Sequence, residues 1–319
     1  MDWKDNTLPR ISLVTPSFNA EKTIERTLHS IELQKYPNLQ LICVDGESKD
    51  RTLDILERHR PLISHLISEK DKNAADAINK GFRVADGDIF GYLNADDALL
   101  PGALHKIAEI YLTEPNVDVI TGGCRRVYAD GSEVITQVPD HFYEVMPLRN
   151  DIEQPSTFWR QSIHRKAGEL DDTFYLAFDW EWWNRLRVSG ARFRRIPDVL
   201  SVYYFSDENL TSRAGHRIIR EMYRVTKKYG PYHGVVADIY MLLYKIFDLH
   251  GFYDMPFRQQ SKFRQLMFGS FLAILYKIFG REVINSYNWN WASKQVRGLT
   301  WYKSPNYGNP KGDILTEAK

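Results

Sequence analysis

GDIFGYLNADDALLPG, residues 87–102, holds the features from which the fold is read. Ile89 to Leu93 is a short apolar run without a polar break, as expected for a strand buried on both faces of a parallel sheet. It ends on two adjacent carboxylates, Asp96 and Asp97, and a helical pattern follows Pro101. The same alternation extends towards the N-terminus. ISLVT (11–15) halts at Pro16 and is followed by a helical segment over 20–34 with Ile24, Leu28 and Ile31 in phase. LQLICVD (39–45) is followed by SKDRTLDILERH (48–59), which opens on a Ser/Asp cap, and LISHLIS (62–68) by NAADAINKGFRVA (73–85). Strand then helix, several times over, predicts an α/β sheet with right-handed crossovers.

Beyond this region, VDVITGG (117–123) and CRRVYADGSEVITQV (124–138) read as a strand and a hairpin through Asp130-Gly131. QPSTFWRQSIHRKAGELDD (154–172) reads as a strand and a short helix, and FDWEWWNRLRVSG (178–190) as a helix stopped by Gly190. Two short strands, 191–196 and 199–205, complete the region. From Arg213 onward the pattern is helical. Between Phe263 and Ile278 the apolar residues cover so much of the helix that burial is expected. The expected organisation is a catalytic domain over 1–210, a helical region over 211–305 and a disordered tail over 306–319.

Charge divides at the same point. Residues 1–210 hold 25 Lys+Arg against 34 Asp+Glu, and residues 211–319 hold 17 against 7. A basic, aromatic-rich helical region suits an anionic membrane surface, where each cation is worth roughly 1 kcal/mol, or a second copy of the chain. No recognition motif accompanies the charge, so nucleic acid is not expected. Cys43 and Cys124 sit singly in apolar runs, as buried thiols in a reducing compartment would. MDWKDNTLPR lacks an apolar signal core, and no run reaches the roughly 18 residues of a membrane span. These features predict a cytoplasmic protein, peripheral on the inner face of the membrane at most.

In a parallel sheet the ligand crevice lies outside the carboxyl ends of the strands. That rule brings together 16–19, 45–47, 69–72 and 94–97, and three of these four ends carry acids. Carboxylates gathered there repel one another unless a cation joins them. Mn²⁺ or Mg²⁺ bound by the doublet could take its remaining ligands from a diphosphate. No glycine-rich phosphate loop follows the first strand, so a nucleotide would depend on metal and acids. A doublet ahead of LLPGALHKI also suits a helix cap, but the company of the other strand-end acids favours the metal.

The stretches ISLVTPSFNAEKTIERTLHSI, VDGESKDRT, SEKDKNAADAINKGFRVADGDIFGYLNADD and QPSTFWRQSIHRKAGELDDTFYLAFDWEWWNRL together resemble glycosyltransferase family 2. These are inverting enzymes with a GT-A type fold, and the resemblance is to members that assemble bacterial surface polysaccharides. It runs from about Pro9 to Val202. It implies that Thr15, Pro16 and Phe18 border the nucleobase, that Asp45 meets the uracil edge, and that Asp71 contacts the nucleoside. It further implies that Asp96 takes the ribose, that Asp97 takes the metal, and that Asp179 is the general base. From the residues alone, Asp179 and Glu181 are both candidates for that base. An inverting transfer needs one carboxylate to accept the acceptor hydroxyl's proton. Gln154 and Arg160, beside PSTFW, are expected near the acceptor.

The implied donor is a nucleotide diphosphate sugar, UDP favoured. The implied acceptor is a saccharide or a polyprenyl-diphosphate-linked saccharide. Two departures from the family pattern matter: Asn73 stands where a glycine is usual beside the donor, and no Arg-x-His precedes Asn209 to Thr211. Asp97 is then the one protein ligand expected for the metal. A sugar-phosphate nucleotidyltransferase would want a basic glycine-rich loop after the first strand, and a non-catalytic carbohydrate-binding protein would not need paired acids.

Overall fold

The computed structural model describes residues 8–205, 209, 217–246 and 262–280. Its strands are β1 (Ile11–Ser17), β2 (Leu39–Asp45), β3 (His65–Ser68), β4 (Ile89–Tyr92), β5 (Ala98–Leu99), β6 (Val119–Val127), β7 (Glu133–Thr136), β8 (Thr157–Arg160) and β9 (Phe193–Tyr204). They form one mixed sheet in the order β3-β2-β1-β4-β8-β6-β9-β5, with β7 pairing β6. β1 to β4 are mutually parallel, and β8 runs antiparallel to its neighbours β4 and β6. The N-terminal end of β8 therefore lies at the same rim as the carboxyl ends of β1 to β4.

Helices cover both faces of this sheet. On one side α1 (Ile24–Glu32) and α4 (Ala103–Thr113) bury Ile24, Leu28, Ile31, Leu104 and Ile107 against Ile11, Leu13, Ile89 and Phe158. On the other, α3 (Ala74–Arg83) packs on β1 and β2, after α2 (Thr52–Arg58) in the chain. The approach of α3 is close enough that a Cβ on Gly81 would lie 2.5 Å from Val14 Cγ1. α6 (Gln161–Ala167) and α7 (Phe178–Val188) complete that side, where Trp159, Trp182 and Trp183 are fully buried.

The chain forms two compact units. The first runs to Gly131 and takes in Ile135–Val138 and Ile152–Tyr204; the second takes in Ser132–Val134, Pro139–Asp151 and the described residues from Phe205 on. The second unit contains α5 (Phe142–Val145), α8 (Arg217–Tyr229), α9 (Val235–Ile246) and α10 (Lys262–Phe279). Asp238 of α9 accepts from Tyr223 Oη at 2.7 Å and pairs with Lys227, both on α8. Ile239, Leu242, Leu243 and Ile246 of α9 line an apolar groove with Phe271, Ile274 and Leu275 of α10.

Several expectations change. The two strands expected over 191–205 are one, β9, which continues through Pro197. The β6 register jumps from Thr121↔Arg195 to Gly123↔Val199, so the missing N–H of proline falls where no ladder bond is due. The helix expected to open on a Ser/Asp cap begins at Thr52, with Arg51 at its cap position and no side-chain cap bond. The Asp96-Asp97 doublet does not cap α4, because β5 intervenes and Gly102, at φ 82°, turns the chain into the helix. α10 is not enclosed: Phe263, Leu266 and Ile278 are exposed. The expected tail over 306–319 lies outside the described residues.

Candidate functional site

β4 ends at Tyr92, and the amide of Asp97 closes the following turn onto the carbonyl of Asn94 at 3.1 Å. The turn carries the Asp97 side chain inward, where it is fully buried. Its Oδ2 accepts from Asn94 Nδ2 at 3.3 Å, and its Oδ1 has no hydrogen-bond partner. Burial, and then the neighbouring Asp96, push this carboxyl well above the usual carboxylate range. An orphaned buried oxygen on an acid is what a cation site requires, so the doublet fits a divalent metal. Among the described residues no three His, Cys, Asp or Glu side chains are grouped to hold one. A metal here would take most of its ligands from what binds beside it.

Tyr92 links this acid to α7. Its hydroxyl is buried without a partner, and its ring packs 6.2 Å from that of Phe178 and 6.3 Å from that of Trp159. Burial raises the phenol's pKa, and the charges of Asp179 and Asp97 raise it further. Asp179, in the first turn of α7, is partly exposed, and its Oδ1 accepts from the amide of Trp180 at 2.6 Å. Glu181 is 1% exposed and paired with Arg185 at 2.9 Å. That pairing commits Glu181 to the fold, and Asp179 is the more exposed of the two acids.

The nucleoside candidates lie along the carboxyl ends of β1, β2 and β3. Thr15 and Pro16 are buried in β1, with Thr15 Oγ1 unpartnered, whereas Phe18 is 62% exposed just beyond. Asp71 is half-buried across from Phe18. Burial raises its pKa, Lys80 opposes the rise, and Asp76 and Asp45 add to it. Gly46 separates the two side chains: a Cβ there would lie 2.4 Å from Asp71 Oδ2 and 3.3 Å from Phe18 Cδ2.

Asp45 closes β2 at the same rim. It is fully buried and accepts from Ser17 Oγ, the Ser48 amide and hydroxyl, and Ser68 Oγ at 3.1 Å. Its oxygens tie three loop ends together, and the exposed acid at this strand end is Glu47, held at φ 61°.

Asn73 does not adopt the left-handed backbone of a glycine site. At φ −174° it is extended, and it caps α3 by accepting from the Asp76 amide. Its Nδ2 donates to the carbonyls of Asp172 at 2.8 Å and Phe174 at 3.3 Å, so the side chain fastens the loop ahead of α7. Gln154 does stand at the site's rim. It donates to the Tyr92 carbonyl at 2.7 Å and accepts from Asn94 at 3.2 Å, bracing the doublet's turn. Arg160 is a correction. Its register partner is Ile89, the first residue of β4, so it lies at the opposite end of the sheet, where it donates to the carbonyls of Val117 and Tyr111. The antiparallel direction of β8 accounts for this.

Sequence reasoning missed the two groups that hold the doublet's backbone and a buried ion pair elsewhere in the same unit. Arg26 Nη2 donates to the Asp96 carbonyl at 2.9 Å, and Thr27 Oγ1 to the Asp97 carbonyl at 2.7 Å. Arg126 forms a buried ion pair with Glu153 at 2.9 Å. The available signal was a row of polar residues at helical spacing, Thr27 and Ser30 in α1 and Gln34 just past its end, beside the apolar Ile24, Leu28 and Ile31.

Residues 12–168 match the family model described as "Glycosyl transferase family 2". The chain belongs to glycosyltransferase family 2. Among its curated relatives are the glycosyltransferase TagX of Staphylococcus aureus and TuaG of Bacillus subtilis, the latter named for teichuronic acid biosynthesis. TagX is 28% identical over 165 residues, 49% of this chain and 46% of TagX. TuaG is 34% identical over 124 residues, 38% of this chain and 48% of TuaG. The chain thus spans about half the length of the curated relatives it matches.

Solved structures with the same fold include S. aureus TarS 1-349 in complex with UDP-GlcNAc. It has a TM-score of 0.55 at 15% identity, over 93% of this family 2 chain and 89% of that one. The mannosyltransferase PcManGT from Pyrobaculum calidifontis, in complex with GDP-Man and Mn²⁺, has a TM-score of 0.57 at 18% identity, over 92% and 88%. The sheet and its flanking helices are of the GT-A type.

Proposed function

We propose that the chain transfers a sugar, with inversion, from a nucleotide diphosphate sugar to a hydroxyl of a saccharide or lipid-linked saccharide in cell-surface polysaccharide synthesis. The observation that carries this reading is the fully buried Asp97 carboxyl, whose Oδ1 has no partner among the described residues, at the carboxyl rim of the sheet. In this reading Asp179 accepts the proton of the acceptor hydroxyl as its oxygen attacks the anomeric carbon. The bond to the diphosphate oxygen breaks on the opposite face, and no covalent enzyme intermediate forms. Asp97, with its orphaned Oδ1, would hold Mn²⁺ or Mg²⁺, which when bound offsets charge on the departing diphosphate.

The nucleoside lies between Phe18 and Asp71, with the Thr15 hydroxyl beneath it and Asp96 at the ribose. UDP is the favoured nucleotide, and the UDP and UDP-GlcNAc complexes of TarS support that preference. Asp45 and Gln154 serve by shaping the loops around the ligand.

The two-domain reading stands as part of this proposal. The helices beyond residue 210 hold the catalytic unit's partner surface, whether the inner face of a membrane or a second copy. The basic excess of that region and the exposed Phe263, Leu266 and Ile278 support it. No described helix is long and apolar enough to cross a membrane.

The test is a screen of UDP- and GDP-sugars for metal-dependent turnover, with the anomeric configuration of the product read by NMR. An inverted product lost in Asp179→Asn supports the reading. A retained configuration, or full turnover by Asp179→Asn, overturns it.

A further inference from the structure

Thr27 and Ser30 lie three residues apart on one face of α1, and Gln34, four residues further on and just past the end of the helix, continues the row. All three are buried, Thr27 completely. A polar row inside a protein is unfavourable unless each group has a partner. Here the partners outside α1 come from a single segment, the chain from Asp97 to Leu104. Thr27 Oγ1 donates to the Asp97 carbonyl at 2.7 Å, and Ser30 Oγ accepts from the Leu99 amide at 3.1 Å. Gln34 donates to the Leu100 carbonyl at 2.9 Å and accepts from the Leu104 amide at 3.3 Å. Ser30 also donates to the Thr27 carbonyl, and Gln34 to the Ser30 carbonyl, so the row is joined along its own length. Arg26 adds the Asp96 carbonyl at 2.9 Å, with its guanidinium 3.4 Å over the Tyr204 ring.

This arrangement bears on Asp97 more than on any other side chain. Among the described residues, the one hydrogen bond to its carboxylate is the long one from Asn94, 3.3 Å. The direction of the carboxylate is therefore set by the backbone of residue 97, and that backbone is fastened by Thr27. The hydroxyl row is also distinct from the apolar packing of α1, since Ile24, Leu28 and Ile31 supply that packing separately.

We propose that Thr27 is a positioning residue for divalent-cation and diphosphate binding, acting through the Asp97 carbonyl, with Ser30 and Gln34 extending the same support along the turn. The proposal rests on Asp97 as the metal ligand. It makes the helix after the first strand part of the metal site without any of its side chains touching the metal.

The experiment uses the full chain and titration calorimetry with UDP, in the presence and absence of Mn²⁺, alongside thermal melting. Thr27→Val keeps the shape of the side chain and removes the hydroxyl. Groups that orient a metal's ligands are typically worth about 10-fold or more in affinity, so Thr27→Val is expected to weaken Mn²⁺-dependent UDP binding by about that factor. Metal-free UDP binding should stay at the wild-type value, and Thr27→Ser should restore the metal-dependent part. Asp97→Asn provides the reference. If it binds UDP with Mn²⁺ as the wild type does, the metal reading fails and the proposal falls with it. If Asp97→Asn loses that binding while Thr27→Val keeps it, the proposal alone is overturned. Equal losses with and without Mn²⁺ in Thr27→Val also overturn it, as they would mean a general disturbance. Should Thr27→Val not fold, Ser30→Ala, which releases the Leu99 amide, is judged by the same criteria.

Discussion

Gly46→Ala separates the fold from the nucleoside site. The new Cβ would lie 2.4 Å from Asp71 Oδ2, 3.1 Å from its Cγ and 3.3 Å from Phe18 Cδ2. Ordinary contact begins near 3.4 Å, so the Asp71 carboxylate must retreat by about 1 Å, whereas the Phe18 ring needs to give only about 0.1 Å. The obstructed atoms are the end of a flexible, half-buried side chain, and the fold should lose about 1 kcal/mol at most. Binding should suffer more. A hydrogen bond to a charged group is worth about 1.5–3 kcal/mol, which is roughly 10- to 100-fold in affinity. Calorimetric titration with UDP and with uridine should show that loss for both ligands, approaching the loss in Asp71→Asn, while the melting temperature moves by only a few degrees. UDP affinity unchanged in Gly46→Ala would refute the assignment of Asp71 to the nucleoside.

Other substitutions probe the remaining parts. Asp179→Asn should lower kcat by about 10²- to 10⁴-fold and leave the affinity for UDP unchanged, as measured by initial rates and calorimetry. Glu181→Ala removes the partner of a largely buried Arg185 and should destabilise the fold by about 3 kcal/mol in urea melts. Gly81→Ala forces a Cβ to 2.5 Å from Val14 Cγ1 and should lose about 1–3 kcal/mol through overpacking between α3 and β1, read in the same way.

His164 gives a pH dependence. Burial, and secondarily Arg185, lower its pKa from 6.5 to about 4, and its Nδ1 accepts from Trp159 Nε1 at 3.2 Å. A folded-state value below the unfolded one means that the unfolded chain binds the proton more readily. The stability contributed is complete above about pH 6.5 and is lost as pH falls towards 4, about 3 kcal/mol in all. Melting curves from pH 6.5 to 5 should fall less steeply in His164→Phe.

What could be read from the sequence followed from burial pattern. β1, β2 and β4 are enclosed on both faces and so appear as unbroken apolar runs, which is why the α/β sheet and its rim of acids were legible. What depended on distant partners was not. Asp45 looks like a ligand acid until Ser17, Ser48 and Ser68, from three separate loop ends, are seen around it. Arg160 follows PSTFW in sequence, but the direction of β8 carries it to the far end of the sheet. Pro197 looks like a strand break and instead falls in a register jump that only the β6 pairing reveals. The choice between Asp179 and Glu181 was closer to hand, since Arg185 stands four residues after Glu181 and the two pair across one helical turn.

Anomalous diffraction at the manganese edge would show whether a cation sits at the acidic doublet. A crystal grown with Mn²⁺ and UDP should show a single strong peak within about 2.2 Å of an Asp97 carboxylate oxygen, with the diphosphate completing the coordination. A map with nucleotide in place and no peak beside Asp97, or with the peak at other side chains, would rule out Asp97 as the metal ligand.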